Sequence, residues 1–376
     1  MNTFSLNEIE YKIHGRTNEK AYPLPLFWNH GGVEVNCTGG ELWIDVNVDC
    51  DVYEPWIAVE INGALMQRMM LLSGEHSICL YRSLLNGPVK NVRFYRELQS
   101  MEDDRCHVLV KGFKTDGEFT KITREPKLKL EFIGDSITSG EGTYGAREDM
   151  EWVAMYMSSS RHYATLIEKA LDADARLISQ GGWGVYCGWD NDVRHTLPSV
   201  YEQISGVSTG EFNEKLGAHM PYDFSAWVPD AIIVNLATND ATAFEQPPFT
   251  IEGMGTFKQH KNPDGSYVAE DIEKFEKAVI DFLKMIRKNN PTSHIVWVYG
   301  MLGYNLTLPI TDAINRYQKE TNDSNVAFIN LPNTDFENFG SHWHPGYASH
   351  KVAARVITKY LADKYQLEIW HPNGNL

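Results

Sequence analysis

The chain has 376 residues, which is too long for one ordinary domain and fits about two domains of roughly 100–200 residues each. Hydrophobic residues make up 43% of the chain and aromatic residues 12%, enough to build packed cores. The formal net charge of −16 would repel a phosphate backbone, and no run of Lys and Arg offsets it. We therefore expect no nucleic acid among the partners.

Membrane and export signals are also missing from the pattern. No apolar stretch approaches the ~20 residues of a membrane span, so a membrane is not expected as a partner. Residues 1–15 carry acidic groups and no apolar core of a signal peptide. The five cysteines are scattered and form no CxxC pair, which predicts free thiols. These features together predict a cytoplasmic location.

The first 125 residues have the pattern of short antiparallel strands. Residues 41–50 alternate apolar and polar side chains, as in a strand with one buried face. Asn62-Gly63 and Asp116-Gly117 lie between apolar runs and predict hairpin turns. Further strands are predicted at 75–84, 90–98 and 106–113. We predict an antiparallel β-sandwich domain of jelly-roll type over residues 1–125.

After Pro126 the pattern changes to alternating strands and helices. Continuous apolar runs, typical of strands buried on both faces, occur at 128–133, 175–179, 231–236, 294–300 and 326–331. Helices are predicted at 269–289 and at about 347–365. Residues 126–376 are therefore predicted to form a three-layer α/β/α domain with a five-stranded parallel sheet. The long connections 205–225 and 241–266 are expected near its ligand site.

Residues of the types used in catalysis follow four of these predicted strands. Ser136 follows the first strand, Gly182 the second, Asn239 the third and His344 the fifth. Ligands of such sheets bind at the carboxyl ends of the strands, so these residues predict an acyl-transfer site. Ser136 would attack the carbonyl carbon, and His344 would take its proton and return it to the leaving alcohol. The backbone N–H groups of Ser136 and Gly182, with the Asn239 amide, would hold the oxyanion.

The four segments resemble the four sequence blocks of the SGNH (GDSL-type) hydrolases. The matching motifs are GDSITSG at 134–140, the glycine turn at 181–184, ATND at 237–240 and HWHP at 342–345. A β-sandwich ahead of such a domain is similar to carbohydrate esterase family 2. The resemblance implies that Ser136, Gly182, Asn239 and His344 are the family's serine, glycine, asparagine and histidine. It also implies removal of O-acetyl groups from plant polysaccharides such as xylan and mannan.

Two departures from the family pattern affect the site. The glycine turn reads Gly-Gly-Trp-Gly, so Gly181 is an alternative oxyanion donor to Gly182. The family's last block usually has an Asp two or three residues before the histidine, where this chain has His342 and Ser341. We expect a Ser–His dyad in which a backbone carbonyl orients His344. A more distant acid, such as Asp335 or Glu337, is the alternative.

Aromatic residues flank the catalytic segments. Trp183, Tyr186, Trp189 and Trp343 are predicted to bind substrate, because aromatic faces stack on the apolar faces of sugar rings. Core packing is an equal alternative for Trp189.

No metal and no cofactor are predicted. His342, His344 and His350 resemble a zinc ligand set, but no acid or cysteine is spaced beside them as a partner. Gly140-x-Gly142-x-x-Gly145 matches the dinucleotide fingerprint in letters only, because it does not begin at a strand end and no acid ends the next strand. It is expected to form a loop beside the nucleophile.

The sequence thus predicts a carboxylic ester hydrolase that removes acetyl groups from acetylated oligosaccharides. One alternative is a lipid or lysophospholipid esterase of the same fold. Another is a carbohydrate-binding protein without catalytic activity, because the usual acid is missing.

Overall fold

A computed structural model of the protein describes residues 1–83, 86–101 and 104–370, and within them the chain forms two compact units. The first unit comprises residues 1–125, 152–160 and 203–222. The second unit comprises residues 126–151, 161–202 and 223–370. The predicted domains were 1–125 and 126–376. The structure differs because the segments 152–160 and 203–222, predicted in the second domain, belong to the first unit. Residues 371–376 of the predicted second domain lie outside the described residues.

Two antiparallel sheets form the first unit. Its strands are β1 (Asn2–Ser5), β2 (Lys12–His14), β3 (Leu24–Pro25), β4 (Gly32–Cys37), β5 (Glu41–Cys50), β6 (Trp56–Ile61), β7 (Ala64–Met70), β8 (Gly74–Arg82), β9 (Lys90–Arg96), β10 (Cys106–Thr115) and β11 (Phe119–Thr120). One sheet has the order β1-β10-β5-β8, with β3 added to β10. The other has the order β11-β4-β9-β6-β7, with β2 added to β4.

The inner faces of the two sheets share one hydrophobic core. The apolar side chains of β5 point into this core, and their alternation with polar residues confirms the predicted half-buried strand. Apolar side chains of β4, β6 and β9 from the other sheet belong to the same cluster. This common core confirms the predicted antiparallel β-sandwich.

The two predicted hairpin turns have different outcomes. Asn62 and Gly63 both have positive φ, 51° and 79°, and join β6 to its antiparallel partner β7, which confirms the first hairpin. Asp116-Gly117 joins β10 to β11, which pair in different sheets, so the second prediction was wrong. The Asp116 carboxylate accepts the backbone N–H of Glu41 and fixes this crossing turn. Residue 84, the end of one predicted strand, lies outside the described residues.

Polar contacts tie the two inserted segments to the first unit. The Trp28 indole donates to the backbone oxygen of Ile204 at 2.7 Å. The fully buried Glu97 carboxylate accepts the hydroxyls of Ser158 and Ser160 at 2.6 and 2.7 Å. Buried polar groups need such partners, so both segments complete the unit's polar interior.

The second unit contains a parallel sheet with helices. Its strands are β12 (Leu128–Gly134), β13 (Ala173–Ser179), β14 (Ala231–Asn235), β15 (Phe249–Ile251), β16 (Gly255–Phe257), β17 (His294–Gly300) and β18 (Val326–Leu331). Helices of the chain are α1 (Ser136–Ser139), α2 (Tyr163–Ala170), α3 (Leu197–Val200), α4 (Gly210–Lys215, in the first unit), α5 (Thr238–Ala243), α6 (Ala269–Asn289), α7 (Thr307–Thr321) and α8 (Tyr347–Tyr365). The parallel sheet has the order β13-β12-β14-β17-β18, which confirms the predicted five strands. The bounds of α6 and α8 also match the prediction.

Within the described residues, none of the helices combines the length and hydrophobicity needed to span a bilayer. All five cysteines are free thiols, as the sequence predicts.

Candidate active site

The register of the parallel sheet brings the ends of three strands together. Gly134 at the end of β12 pairs with Ser179 of β13 on one side and with Asn235 of β14 on the other. The residues that follow these strands therefore emerge at one edge of the sheet, where ligands of α/β folds bind. Ser136, Gly182 and Asn239 all lie in these connections.

Ser136 is the first residue of the short helix α1. The Asp135 carboxylate caps this helix by accepting the backbone N–H of Ile137 at 3.0 Å. Glycine at position 134 allows the close approach of α1, because a Cβ there would lie 2.0 Å from the Thr138 hydroxyl. A residue at this helix position has a backbone N–H without a partner inside the helix. Ser136 therefore presents its hydroxyl and its N–H at the same strand end.

His344 contacts Ser136 directly. Its Nε2 lies 2.8 Å from the Ser136 Oγ, and its Nδ1 lies 2.8 Å from the backbone oxygen of His342. A carbonyl oxygen only accepts hydrogen bonds, so Nδ1 carries the proton and Nε2 accepts the serine hydroxyl. This is the tautomer that a general base needs. The structure therefore shows the predicted Ser–His pair, with a backbone carbonyl orienting the imidazole.

An unusual turn orients the backbone carbonyl of His342 toward His344. His342 and Trp343 both adopt left-handed backbone conformations, with φ of 54° and 51°. Such conformations cost non-glycine residues roughly 1–2 kcal/mol each, so the surroundings must hold them. The His342 N–H donates to the Asp149 oxygen, and the Ser341 hydroxyl donates to the Tyr144 oxygen. Pro345 follows, and His344 has the extended conformation expected before proline.

A carboxylate that the sequence interpretation missed lies beside the two histidines. Glu141 Oε1 is 2.6 Å from His342 Nδ1 and 3.5 Å from His344 Nδ1. Its side chain is only 5% exposed. Glu141 raises the pKa of His342, because its hydrogen bond and charge favour the imidazolium form. The acids suggested instead, Asp335 and Glu337, are exposed.

The glycine-rich loop after α1 packs against the histidine turn. A Cβ at Gly142 would lie 2.6 Å from the Cβ of His344, and a Cβ at Gly340 would lie 1.7 Å from the Gly142 oxygen. These glycines therefore allow two backbone segments to meet at His344. The packing of this loop against the histidine turn explains the glycines of the Gly140-x-Gly142-x-x-Gly145 motif, and no bound nucleotide is needed to explain them.

Replacing Gly142 by alanine is expected to lower kcat/KM about 100-fold, because the added methyl displaces His344. Gly265→Ala is the matched control. Its φ of 86° imposes similar backbone strain, but no atom lies within 4 Å of the added Cβ. Steady-state kinetics with both variants separates strain from displacement. Activity of Gly142→Ala within threefold of the unmodified protein would contradict this placement.

The expected oxyanion donors lie in the neighbouring connections. Gly182 has φ of 79°, and a Cβ there would lie 3.2 Å from the Trp189 ring, so glycine suits this position. The Asn239 amide nitrogen donates to the Trp183 oxygen at 2.9 Å. This bond uses one of its two N–H groups and orients the other. The roles of Gly182, its alternative Gly181, and Asn239 stay predictions.

Asp240 holds the residues that directly follow the glycine turn. Its buried carboxylate accepts the backbone N–H groups of Val185, Tyr186 and Cys187 at 2.7–3.1 Å. Burial raises the pKa of Asp240 to about 6, against the effect of these bonds. The connection after β14 therefore carries both Asn239, an oxyanion-hole candidate, and Asp240, which fixes the segment next to the other candidate, Gly182.

The four predicted substrate-binding aromatics differ in exposure. Trp189 and Trp343 are 48% and 46% exposed, whereas Trp183 and Tyr186 are partly buried. The Trp183 ring stacks on His195 with 5.3 Å between ring centroids. Half-exposed rings next to Gly182 and His344 are available to a ligand, which favours a binding role for Trp189 over core packing.

Glu141, His342 and His344 form a group that could hold a metal ion, with ligand atoms within 4.8 Å of one another. His350 does not join them: it is fully buried, and its Nδ1 accepts the Tyr163 N–H. Glu141 is far from these histidines in the sequence, so the spacing of residues near them could not indicate it. Hydrogen bonds within the group and to Ser136 already account for its arrangement, and the absence of a metal stays a prediction.

The charge of Asp135 predicts a pH dependence of stability. Burial, reinforced by nearby Asp240 and Glu141, raises the pKa of Asp135 from 3.8 to about 7. The folded protein then binds more protons than the unfolded chain between these values, so stability falls as pH rises through this window. We expect Asp135→Asn to be about 1–3 kcal/mol more stable than the unmodified protein above pH 7, and about equal near pH 4.

Urea denaturation across this pH range measures the effect, with Asp335→Asn as the exposed control. A stability difference for Asp135→Asn that does not change with pH would contradict the raised pKa.

Comparisons with known proteins agree with this geometry. A model of the GDSL-like lipase/acylhydrolase family matches residues 132–374. The solved structure of an acetyl xylan esterase from the rumen bacterium Butyrivibrio proteoclasticus is 55% identical, covers 97% of this chain and 98% of its own, and superposes with a TM-score of 0.95.

Two curated relatives are more distant. Cellulase/esterase CelE of Acetivibrio thermocellus is 24% identical over 90% of this chain, which spans only 37% of that protein. An acetylxylan esterase/glucomannan deacetylase of Cellvibrio japonicus is 24% identical over 87% of this chain and 78% of its own length. The family match and the closely similar structure confirm the predicted fold class and resemblance: this chain belongs to the GDSL-like lipase/acylhydrolase family.

Proposed function

We propose that the protein is a serine esterase that removes O-acetyl groups from acetylated plant oligosaccharides of the xylan or mannan type. The observation that carries the proposal is the contact between the Ser136 hydroxyl and the His344 Nε2, whose tautomer is set by the His342 carbonyl. A serine with a correctly oriented base is the arrangement that nucleophilic acyl transfer needs.

The reaction follows from this geometry in two halves. In the first, Ser136 Oγ bonds to the acetyl carbon while its proton passes to His344 Nε2. His344 then gives this proton to the leaving sugar oxygen, and an acetyl-serine remains. In the second half, His344 Nε2 takes a proton from water while the water oxygen bonds to the acetyl carbon. His344 then gives this proton to Ser136 Oγ as the bond between Oγ and the acetyl carbon breaks, which releases acetic acid and restores the serine hydroxyl. In both halves, the Ser136 and Gly182 N–H groups and the Asn239 amide would stabilise the oxyanion.

The named relatives support the substrate class. The 55%-identical structure is an acetyl xylan esterase, and the relative from Cellvibrio japonicus is also a glucomannan deacetylase. The half-exposed rings of Trp189 and Trp343 suit the apolar faces of sugar rings. The intact Ser–His pair favours an enzyme over a carbohydrate-binding protein without activity. A cytoplasmic location stays a prediction, which fractionation of the source cells would test.

Acetate release from acetylated xylan, mannan and chitin fragments, followed by site-resolved NMR, tests the proposal. We expect release from xylan or mannan fragments and loss of it in Ser136→Ala. A series of p-nitrophenyl esters distinguishes the lipid-esterase alternative: an acetyl esterase loses activity steeply once the acyl chain exceeds about three carbons. Rising activity with chain length, or no acetate release from any of the three fragments, would refute the proposal.

A further inference from the structure

The missing acid of the catalytic site has a structural replacement on another segment. We propose that Glu141 is a positioning residue that orients His344 and stabilises its protonated form, directly and through His342. This inference rests on the proposed function. It assigns the role of the triad acid to a residue five positions after the nucleophile in the chain, in place of an acid two or three positions before the histidine.

The first route is through the backbone. The carbonyl that accepts the His344 Nδ1 proton belongs to His342, whose left-handed conformation is unfavourable for a residue with a side chain. The His342 side chain is held by Glu141 at 2.6 Å, in a charge-assisted hydrogen bond. Glu141 is itself fixed next to the nucleophile, because its backbone N–H donates to the Ser136 oxygen at 3.0 Å. Glu141 thereby links the nucleophile helix to the turn that orients the base.

The second route is electrostatic. Glu141 Oε1 lies 3.5 Å from His344 Nδ1, and its burial limits screening by water. When His344 takes the proton of Ser136, the positive charge on the imidazolium develops beside this carboxylate. The Nδ1 proton stays on the ring and faces the His342 oxygen and Glu141 Oε1 together. In this role Glu141 acts as a carboxylate and exchanges no proton with His344, so the proton balance of the reaction is unchanged.

His342 also carries charge when protonated, and it opposes the effect of Glu141 on His344. The ring centroids of the two histidines are 5.4 Å apart, farther than the 3.5 Å between Glu141 Oε1 and His344 Nδ1. The carboxylate is therefore the nearer charge and determines the sign of the field at Nδ1.

The test compares Glu141→Gln and Glu141→Asp with Glu337→Gln and Asp335→Asn. The last two remove exposed acids that precede His344 in the chain, and so serve as matched controls. Glu141→Gln is expected to lower kcat about 10- to 100-fold on an acetyl ester, with KM changed less than threefold, because Glu141 acts on the base. Glu141→Asp should recover part of kcat, and the two controls should match the unmodified protein.

A second readout needs no acetyl substrate. A fluorophosphonate probe labels the nucleophilic serine by forming an Oγ–P bond and releasing fluoride, and it requires the same base. We expect Glu141→Gln to slow this labelling about 10- to 100-fold. If the protein releases no acetate but shows this slowing, the proposed function fails while the role of Glu141 stands.

Three outcomes would overturn the role of Glu141. The first is kcat and labelling within twofold of the unmodified protein in Glu141→Gln. The second is a loss of the same size in Glu337→Gln or Asp335→Asn. The third is a loss that appears in KM and not in kcat. If Glu141→Gln melts at a lower temperature, Glu141→Asp decides: kcat no higher than in the Gln variant, in a protein as stable as the unmodified one, rejects the proposal.

Discussion

Ser136→Ala is expected to lower kcat/KM for acetyl esters by about 10⁴- to 10⁶-fold, and His344→Ala by a similar factor. The 2.8 Å contact between Oγ and Nε2 makes the two side chains one proton-transfer unit. Removing either member disables the unit, so the double variant should be no slower than the slower single variant. Residual activity would come from the oxyanion donors and substrate binding.

Acetate release measured for both single variants and the double variant tests whether Ser136 and His344 act together. Ser199→Ala is the control, because it removes an exposed hydroxyl from α3 in the same unit of the fold and should leave kcat unchanged. Losses that multiply in the double variant would show that the two residues act independently. Such a result would contradict the proposed mechanism.

Asn239→Ala is expected to lower kcat by about 10²- to 10³-fold, with a smaller change in KM. The reason is that an oxyanion donor acts mainly on charge that develops in the transition state. The hydrogen bond from Asn239 to the Trp183 oxygen holds the amide in place before substrate arrives. Its loss should also reduce stability by about 1 kcal/mol.

Asn239→Asp sharpens this test, because it keeps the shape, removes the N–H donors and adds a negative charge near the developing oxyanion. It should be slower than Asn239→Ala. Thr242→Ala, on the same helix α5, removes only a hydroxyl bonded to the Thr238 oxygen and is the control. A kcat within tenfold of the unmodified protein for Asn239→Ala would exclude this residue from the oxyanion hole.

Strand positions and the Ser–His pair were predictable because their signals are local. Continuous apolar runs identify strands buried on both faces, and parallel strands end at one edge of a sheet. The structure confirms this logic where Gly134 pairs with both Ser179 and Asn235. The expectation that a backbone carbonyl orients His344 also followed, because neither His342 nor Ser341 is an anion equivalent to Asp at neutral pH.

Other features depend on contacts between distant segments and leave little local signal. Glu141 lies 203 positions before His344, so no local spacing relates it to the histidine. Its one signal is a single acid between two glycines beside the nucleophile. The segments 152–160 and 203–222 belong to the first unit through contacts such as Trp28 to Ile204, which no periodicity encodes. The turn at Asp116-Gly117 has hairpin residues, but strand pairing sends its two arms to different sheets.

In the proposed mechanism, Ser136 carries the acetyl group during turnover. Rapid acid quenching of the protein with acetylated xylo- or manno-oligosaccharide, followed by peptide mass spectrometry, measures this directly. We expect an acetyl group on the peptide that contains Ser136, formed within one turnover and absent in Ser136→Ala. Acetate release at the normal rate with no acetylation of this peptide, or acetylation of another residue, would contradict it.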